Sequence, residues 1–379
     1  MTEVDTRITK IEYGRLEGRR PRSAGSNARL GTHGQRVAPS IARITTDGGA
    51  TGFGWARLNK EQARGFVGAR LPEINPGNGV PEPFCALEYP LLDLLAKQQD
   101  RPVYALISDN ADGNPLRIPC YDTSLYIDDL HISDEAEAAT LIASEAAEGM
   151  ARGHTAFKIK VGRGAMHMEL DAGTRRDIAV IRAVREVVGP EAQLMIDANN
   201  GYNLNLTRRV LAETADADIT WIEEAFHEDA QLYRVLKEWM AAEGLKTRIA
   251  DGEGDASPRL LDWARDGLID IIQYDIHRPG FSRWLELGPQ LAEWSVGAAP
   301  HSYGEPFGNY AACHLAPTLS SFEAVEWDEA TVEGLDASAY TIEDGFVTVP
   351  NLPGFGLALD EDTYAQAVRD NGWAVQYRT

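Results

Sequence analysis

The stretch "QLMIDANNGY", residues 193–202, ends a short apolar run on an acid. Leu194, Met195 and Ile196 are typical of a buried strand, and the asparagines and glycine that follow are typical of a turn. Asp197 lies where this strand should end. A buried carboxylate costs free energy unless a cation or hydrogen-bond donors compensate for it, so this position indicates a functional site.

Strand patterns alternate with helix patterns around this stretch, from residue 119 onward. The sequence predicts eight strands, over residues 120–127, 156–162, 193–197, 219–226, 246–253, 270–277, 296–303 and 322–327. Helices are predicted between them, for example over 133–153 with Ser133 as the N-cap, and over 172–189. Strands joined through helices pair in parallel, and eight of them favour a closed barrel. A doubly wound open sheet is the alternative, but no glycine-rich phosphate turn follows the first strand.

The segments that flank this alternation have a different pattern. Residues 42–56 read as a hairpin around the turn Asp47-Gly48-Gly49, and helical patterns lie near 60–70 and 86–98. The tail at 341–362 combines strand alternation with glycine and proline turns. We therefore predict a second, α+β domain packed against the barrel.

Composition excludes several classes of partner. The 379-residue chain has a formal net charge of −22, which would repel nucleic acid and an anionic membrane. Cys85, Cys120 and Cys313 show neither disulfide nor zinc spacing, which predicts a reducing compartment. No apolar signal core or bilayer-spanning segment is present in the sequence, so we expect a cytoplasmic protein.

Acids lie at the ends of three successive predicted strands. They are Asp197, then Glu223 with Glu224, then Asp251 and Glu253. In a barrel these ends converge on one face, and alternation lets only one of the paired glutamates point inward, while the two acids of the fifth strand share a face. Converging carboxylates need a cation. An all-oxygen ligand set favours Mg²⁺, with Mn²⁺ as the next choice.

Two lysines of the second strand are expected to lie beside this metal site. In "FKIK", Lys158 and Lys160 share one face; if Phe157 and Ile159 face the helices, both lysines point into the barrel. Two lysines near a divalent cation lower each other's pKa, and a lysine with a lowered pKa is a competent general base.

The later strands supply a possible carboxylate–imidazole pair. Asp275 on the sixth strand and His301 on the seventh would be neighbours, and the carboxylate would fix the tautomer of the imidazole. His277 and His227 compete for this role, and we rank both as substrate-contacting or structural. Glu326, at the end of the eighth strand, can hydrogen-bond to substrate or donate a proton.

Taken together, these residues resemble the mandelate racemase subgroup of the enolase superfamily. The similar motifs are "KIK" (158–160), "DAN" (197–199), "IEE" (222–224), "GE" (252–253), Asp275, His301 and "EW" (326–327). The resemblance implies a (β/α)7β modified TIM barrel over 119–328. It also implies a capping domain over 1–118, completed by the returning segment 329–379. Ala225 departs from the family, which commonly has proline there, and this leaves the geometry of that turn open.

The resemblance also implies a role for each candidate residue. It implies Mg²⁺ ligands at three acids, namely Asp197, Glu223 and Glu253, the last chosen over Asp251 because it lies nearer the strand end. It implies proton transfer by residues on opposite substrate faces, namely Lys160 and His301, the latter oriented by Asp275. It implies substrate contacts by Lys158, Asn199 and Glu326.

The implied chemistry is removal of the proton next to a carboxylate, with the resulting enolate stabilised by Mg²⁺ and Lys158. If the next carbon carries a hydroxyl, that group leaves as water and the product is a 2-keto-3-deoxy acid. We therefore expect a lyase that dehydrates an acid sugar, the commonest activity in the subgroup. A racemase, epimerase or cycloisomerase is the alternative, and a non-catalytic metal-binding barrel is a remote one. The resemblance also implies a homo-oligomer, either a dimer or an octamer.

Six arginines lie in a segment that the resemblance identifies as a mobile loop closing over the substrate. They are Arg15, Arg19, Arg20, Arg22, Arg29 and Arg36. One of them, with Arg19 as our candidate, can grip a distal carboxylate or several hydroxyls. The alternative is a solvated loop that balances the acidic surface.

Overall fold

The structure is a computed structural model that describes residues 7–74, 78–108 and 116–377. The strands are β1 Ile8–Arg15, β2 Gly18–Ala24, β3 Gly34–Val37, β4 Ser40–Thr46, β5 Thr51–Trp55, β6 Leu116–Leu125, β7 Ala156–Lys160, β8 Gln193–Asp197, β9 Ile219–Glu223, β10 Arg248–Asp251, β11 Ile271–Ile272, β12 Gly297–Ala298, β13 Val325–Trp327, β14 Thr331–Val332, β15 Leu335–Asp336, β16 Thr341–Glu343, β17 Phe346–Val349, β18 Ala358–Leu359 and β19 Trp373–Gln376. The helices are α1 Lys60–Phe66, α2 Glu88–Gln98, α3 Val103–Ile107, α4 Glu135–Ala151, α5 Arg163–Met166, α6 Leu170–Val188, α7 Leu204–Glu213, α8 Ala230–Ala242, α9 Leu260–Arg265, α10 Phe281–Glu293, α11 Phe307–Leu315 and α12 Glu361–Asn371.

Strands β6 to β13 form the barrel. Strands β6 to β12 lie side by side in chain order, and β13 pairs in parallel with the other edge of β6. A parallel bridge between Ala298 and Phe322 joins β12 to the residues that lead into β13. The amide of Ala298 donates to Ser321 O at 2.9 Å, and the amide of Glu323 donates to Ala298 O at 2.9 Å. The predicted α/β barrel fold is confirmed.

The barrel interior has an apolar floor beneath the strand ends. Each of the eight strands, or a residue adjoining it, contributes one buried side chain to this floor, namely Tyr121, Ala156, Met195, Trp221, Ala250, Ile271, Ala299 and Ala324. Phe157 and Ile159 belong instead to the main core between strands and helices. Because side chains alternate along a strand, Lys158 and Lys160 face the interior above Ala156.

The parallel register places chemically active residues level with one another. Lys160 on β7 pairs with Asp197 on β8, and Asp197 pairs in turn with Glu223 on β9. Glu223 is opposite Ala250 on β10. Three neighbouring strands therefore present a lysine and two acids at one height at the barrel mouth.

Strands from distant parts of the chain form the capping layer. One antiparallel sheet has the order β19-β1-β4-β5, and another has the order β14-β2-β3. The predicted hairpin is present as β4 and β5. In the tail, β17 pairs with the start of β6. The domain boundaries at residues 118 and 328 stay predictions.

Two details differ from the sequence-based expectation. The N-cap of α4 is Asp134 and not Ser133, since the carboxylate of Asp134 accepts a hydrogen bond from the amide of Glu137 at 2.8 Å. The sixth and seventh barrel strands are only two residues long each, although a parallel bridge between Asp275 and His301 continues their pairing towards the mouth. No helix in the described ranges is long and apolar enough to cross a membrane.

A buried arginine fixes the turn that follows β7, and its replacement should destabilise the fold. Arg163 is fully buried; its guanidinium lies 2.6 Å from Asp129 Oδ1 and 2.7 Å from Asp177 Oδ1. R163M would leave both carboxylates buried without their closest cation. We expect the free energy of unfolding, measured by urea denaturation, to fall by about 3–5 kcal/mol.

The matched control is R175M, which breaks the half-exposed ion pair between Arg175 and Asp171 on α6. This pair is solvent-screened, so R175M should leave the urea midpoint nearly unchanged. Equal effects of R163M and R175M would contradict the assigned role of Arg163.

Candidate active site

Three acids come together at the barrel mouth. Asp197 ends β8, Glu223 ends β9, and Glu253 follows β10 after Gly252. One oxygen from each lies within 4.8 Å of the others, and we call this group the carboxylate triad. Neighbouring oxygens around an octahedral Mg²⁺ are about 3 Å apart, so the three oxygens would have to approach one another by less than about 2 Å to share one ion.

The two acids of β10 do not share a face, contrary to the expectation from alternation. Gly252 has a φ of 134°, a left-handed conformation in which the regular strand alternation is lost. Asp251 instead points towards the helices and accepts a hydrogen bond from the Tyr233 hydroxyl of α8 at 2.5 Å. Only Glu253 of this pair reaches the triad.

The paired glutamates of β9 also have different surroundings. Glu223 belongs to the triad, whereas Glu224 has a φ of 42° and turns away. The side-chain amides of Asn199 and Asn200 donate to Glu224 at 3.1 and 2.7 Å. Burial, together with the nearby charge of Glu253, raises the pKa of Glu224 to about 9. Glu224 thus anchors the turn that carries Asn199.

Both lysines of β7 contact the carboxylates directly. The ammonium of Lys158 lies 2.8 Å from Glu223 Oε1 and 2.8 Å from Glu326 Oε1. Lys160 donates to Asp197. Burial would lower the pKa of each lysine, but the carboxylates outweigh it and raise both, with Glu223 acting most on Lys158 and Asp197 most on Lys160.

This result corrects the expected lowering of the lysine pKa values for the protein chain alone. The neighbours of each lysine include the carboxylates in direct contact with it, and not only the other lysine and a divalent ion. For Asp197 the effects have the opposite sign. Burial alone would raise its pKa, but the charges of Lys160 and Lys158 outweigh burial and lower it. The lysines therefore hold the triad together electrostatically.

His301 and Asp275 form the carboxylate–imidazole pair at the other side of the triad. His301 Nδ1 lies 2.6 Å from Asp275 Oδ1, and His301 Nε2 lies 3.1 Å from Glu253 Oε2. Burial would lower the pKa of His301, but Glu253, Glu326 and Asp275 raise it to about 10. Since a carboxylate only accepts, Nδ1 carries a hydrogen and Nε2 is left facing the triad.

The remaining predicted contacts divide into buried and peripheral groups. Glu326 is buried and accepts hydrogen bonds from the Thr123 hydroxyl at 2.6 Å and the Ser302 amide at 3.0 Å. His277 packs on Trp55 with ring centroids 4.5 Å apart, and burial lowers its pKa to about 3. His227 is exposed.

Asn199 and Arg19 complete the predicted contacts. Asn199 is buried, and its Oδ1 makes no hydrogen bond within the described residues. Arg19 is exposed on β2, whereas the next residue, Arg20, is buried. The substrate-contact roles of these residues stay predictions.

Gln273 is a site residue that the sequence reasoning missed. It follows β11, is fully buried, and donates from Nε2 to Glu223 Oε2 at 2.7 Å. Its position at a barrel strand end was the only available signal, and an amide carries no charge that would attract attention.

The donor set suits a hard divalent cation. The triad offers carboxylate oxygens, and no thiol lies among its members. Burial raises the pKa of Glu223 to about 8, and repulsion by the charge of Asp197 adds to the shift. A divalent cation would relieve this repulsion, so the residues present fit Mg²⁺ or Mn²⁺.

Comparison with known proteins identifies the family. Residues 141–363 match the family model described as enolase C-terminal domain-like. The match spans more than half of the chain, so the chain belongs to this family.

The similar proteins include well-matched solved structures. Galacturonate dehydratase from a Geobacillus species, complexed with D-galacturonate and 5-keto-4-deoxy-D-galacturonate, is 48% identical; the match covers 98% of this chain and 99% of that one, with a TM-score of 0.93. A mandelate racemase/muconate lactonizing protein from Geobacillus sp. Y412MC10, complexed with magnesium and tartrate, is 47% identical over 99% of this chain and 98% of that one, with a TM-score of 0.96. The D-xylonate dehydratase of Haloferax volcanii is 26% identical over 73% of this chain and 67% of its own length.

The two acids of β10 give a direct test of the triad. E253Q should weaken Mg²⁺ binding, measured by calorimetry, by at least about 100-fold, since loss of an outer-shell partner alone costs about 10–100-fold. D251N, which changes the acid bonded to Tyr233, is the matched control and should leave affinity within a few-fold. A larger loss in D251N than in E253Q would identify Asp251 as the ligand.

Proposed function

We propose that this protein is a Mg²⁺-dependent dehydratase of an acid sugar, with Lys160 and His301 as its proton-transfer residues. The observation that carries the proposal is their placement. Lys160 contacts Asp197 at one side of the carboxylate triad, and His301 contacts Glu253 at the other. A substrate carboxylate directed at the triad would place its α-carbon between two groups that exchange protons.

Asp197, Glu223 and Glu253 would hold the Mg²⁺. When bound, the ion supplies positive charge that stabilises the negative charge developing on the substrate carboxylate as the α-proton leaves. Lys158 adds a buried ammonium beside the same oxygens, and Gln273 fixes the orientation of Glu223. These contacts exist before substrate arrives, so little reorganisation is needed during the reaction.

The two proton-transfer residues complete a balanced elimination. Whichever of the two is unprotonated accepts the α-proton, and the electron pair of that C–H bond becomes the new C=C bond. The other donates a proton to the hydroxyl on the next carbon, whose C–O bond breaks to release water. The resulting enol takes its ketone form, giving a keto group next to the carboxylate and a deoxygenated carbon beyond it. Asp275 keeps His301 Nε2 directed towards this reaction.

A hexuronate is the substrate class that we propose. Numbered from its aldehyde carbon, a hexuronate has its carboxylate at C6, its α-carbon at C5 and the departing hydroxyl at C4. Dehydration therefore gives a 5-keto-4-deoxy product, the compound named for the Geobacillus galacturonate dehydratase complex. D-Galacturonate is accordingly the first substrate to test.

An isomerase is the second candidate function. The same pair of residues would racemise or epimerise a substrate that has no leaving group, because each residue would face a different side of the α-carbon. The racemase and lactonizing activities in the name of one similar structure favour keeping this alternative. Exchange of the α-proton with solvent deuterium, without keto-acid formation, would identify it.

We also propose that the protein is cytoplasmic and forms a homo-oligomer. The first proposal rests on the sequence, and the second rests on the family resemblance. Analytical ultracentrifugation distinguishes a dimer from an octamer.

The proposed activity predicts a Mg²⁺-dependent keto acid. Incubation with a library of acid sugars that includes D-galacturonate should give a semicarbazone signal with Mg²⁺. EDTA should abolish the signal and excess Mg²⁺ should restore it, because the triad carboxylates alone repel a substrate anion. Turnover that is unaffected by EDTA, or no product and no α-deuterium exchange with any acid, would contradict the proposal.

K160M and H301N should each lower kcat by about 10²–10⁴-fold, the usual contribution of one acid or base. In deuterium oxide, the variant that keeps the base should still exchange the substrate α-proton, as seen by NMR. The other variant should not. R175M, remote from the mouth, is the control for expression and folding. If neither K160M nor H301N lowers turnover, the assigned roles are wrong.

A further inference from the structure

His33, which lies between β2 and β3 in the capping layer, packs against the barrel mouth. Its ring meets the rings of Tyr126 and Tyr303 edge-on, with centroids 4.9 and 5.8 Å apart. These two tyrosines stack on each other at 5.0 Å, and the ammonium of Lys160 lies 5.4 Å from the Tyr126 ring. The imidazole therefore lies over the same aromatic pair as the proton-transfer lysine.

The hydrogen bonds of His33 fix its tautomer. Gly25 O lies 3.1 Å from the His33 amide nitrogen and 2.9 Å from His33 Nδ1. A carbonyl oxygen only accepts, so Nδ1 must carry the hydrogen. Burial, followed by the charges of Lys160 and Arg20, lowers the pKa of His33, although Gly25 opposes the shift. The ring is thus neutral at pH 7, and its Nε2 is an acceptor.

The surroundings hold this ring in place. A side chain at Gly25 would collide with the Ile127 carbonyl, so the loop lies directly on the barrel there. The Arg20 guanidinium lies 4.3 Å from the Tyr303 ring centre and donates two hydrogen bonds of 2.8 Å to Asp328. Within the described ranges, His33 Nε2 makes no hydrogen bond, and nothing in the elimination chemistry employs it.

At His33 itself, the neutral ring favours a hydroxyl group over a second carboxylate. Three arginines of this segment are already bound to acids of the protein: Arg20 to Asp328, Arg22 to Glu145 and Glu148, and Arg36 to Glu17. A neutral acceptor nitrogen can accept a hydrogen bond from a hydroxyl group. A carboxylate has no hydrogen to donate, so the nitrogen lone pair would repel it.

We infer that His33 Nε2 accepts a hydrogen bond from a substrate hydroxyl beyond the two reacting carbons, which makes His33 a specificity-determining residue for a polyhydroxy monoacid. The inference rests on the proposed function and extends it to the distal part of the substrate. Selection of the sugar then occurs in the capping layer, across the mouth from the triad.

Two variants separate the two nitrogens of the ring. H33N keeps an amide N–H in place of Nδ1–H but has no group at the Nε2 position, and H33Q places an amide near Nε2. On D-galacturonate, H33N should lower kcat/KM by about 10–100-fold, mainly through a raised KM, because a substrate hydroxyl loses its partner. H33Q should recover part of this loss.

Deoxy substrates distinguish a lost contact from a disturbed loop. For wild type, either 2-deoxy- or 3-deoxy-D-galacturonate should be a poor substrate. On that same compound, H33N should have the same kcat/KM as wild type. An equal factor lost on all three compounds, or on none, would overturn the inference. Faster turnover of the diacid galactarate than of D-galacturonate by wild type would overturn the assignment to a monoacid.

Calorimetric measurement of substrate binding makes this test independent of turnover. If wild type with Mg²⁺ dehydrates none of these acids, the proposed function fails. Binding of the same three monoacids to wild type and H33N then decides the role of His33. If H33N binds more weakly than wild type only those compounds that retain the hydroxyl, the role of His33 is supported. If H33N binds all three as wild type does, that role is rejected.

Discussion

Mutual repulsion among buried carboxylates is the constraint on which this site depends. Asp197, Glu223 and Glu326 are each at most 1% exposed, and Glu253 lies beside them. Parallel strands in one register bring these acids together, and the lysines of β7 offset part of their charge. The apolar floor below keeps water out and strengthens every one of these interactions. The cluster is thus a stable arrangement only in the presence of compensating positive charge, which is the property that a cation-assisted enzyme uses.

Much of this could be predicted from the sequence because barrel geometry makes strand ends converge. Period-two alternation in "FKIK" was sufficient to direct both lysines inward, and an acid at each of three successive strand ends was sufficient to indicate a metal site. Backbone conformation at single residues was not predictable in this way. The left-handed Gly252 separates Asp251 from Glu253, and strand β2 exposes Arg19 while burying Arg20. Gln273 and His33 also escaped detection, because neutral side chains acquire a role only through the contacts that the fold gives them.

The chemistry and the choice of substrate come from different parts of the molecule. The triad, both lysines and the Asp275–His301 pair belong to barrel strand ends, where the backbone is fixed by parallel pairing. The proposed hydroxyl acceptor belongs to a connection between short antiparallel strands of the capping layer. Such a connection tolerates changes of sequence without disturbing the barrel. A change in this connection could thereby alter the sugar acid that is selected while the strand ends stay the same.

The hydrogen bond between Arg20 and Asp328 links residues 308 positions apart. The amide of Tyr377, which follows the barrel in the chain, donates to the carbonyl of Thr9, which precedes it. During synthesis on the ribosome, β1 and β2 emerge long before β14 and β19, which pair with them. β1 can pair early with β4, and β2 with β3, but the edges that β19 and β14 occupy stay open until every barrel strand has been translated. The cover over the reaction centre is consequently completed only at the end of synthesis.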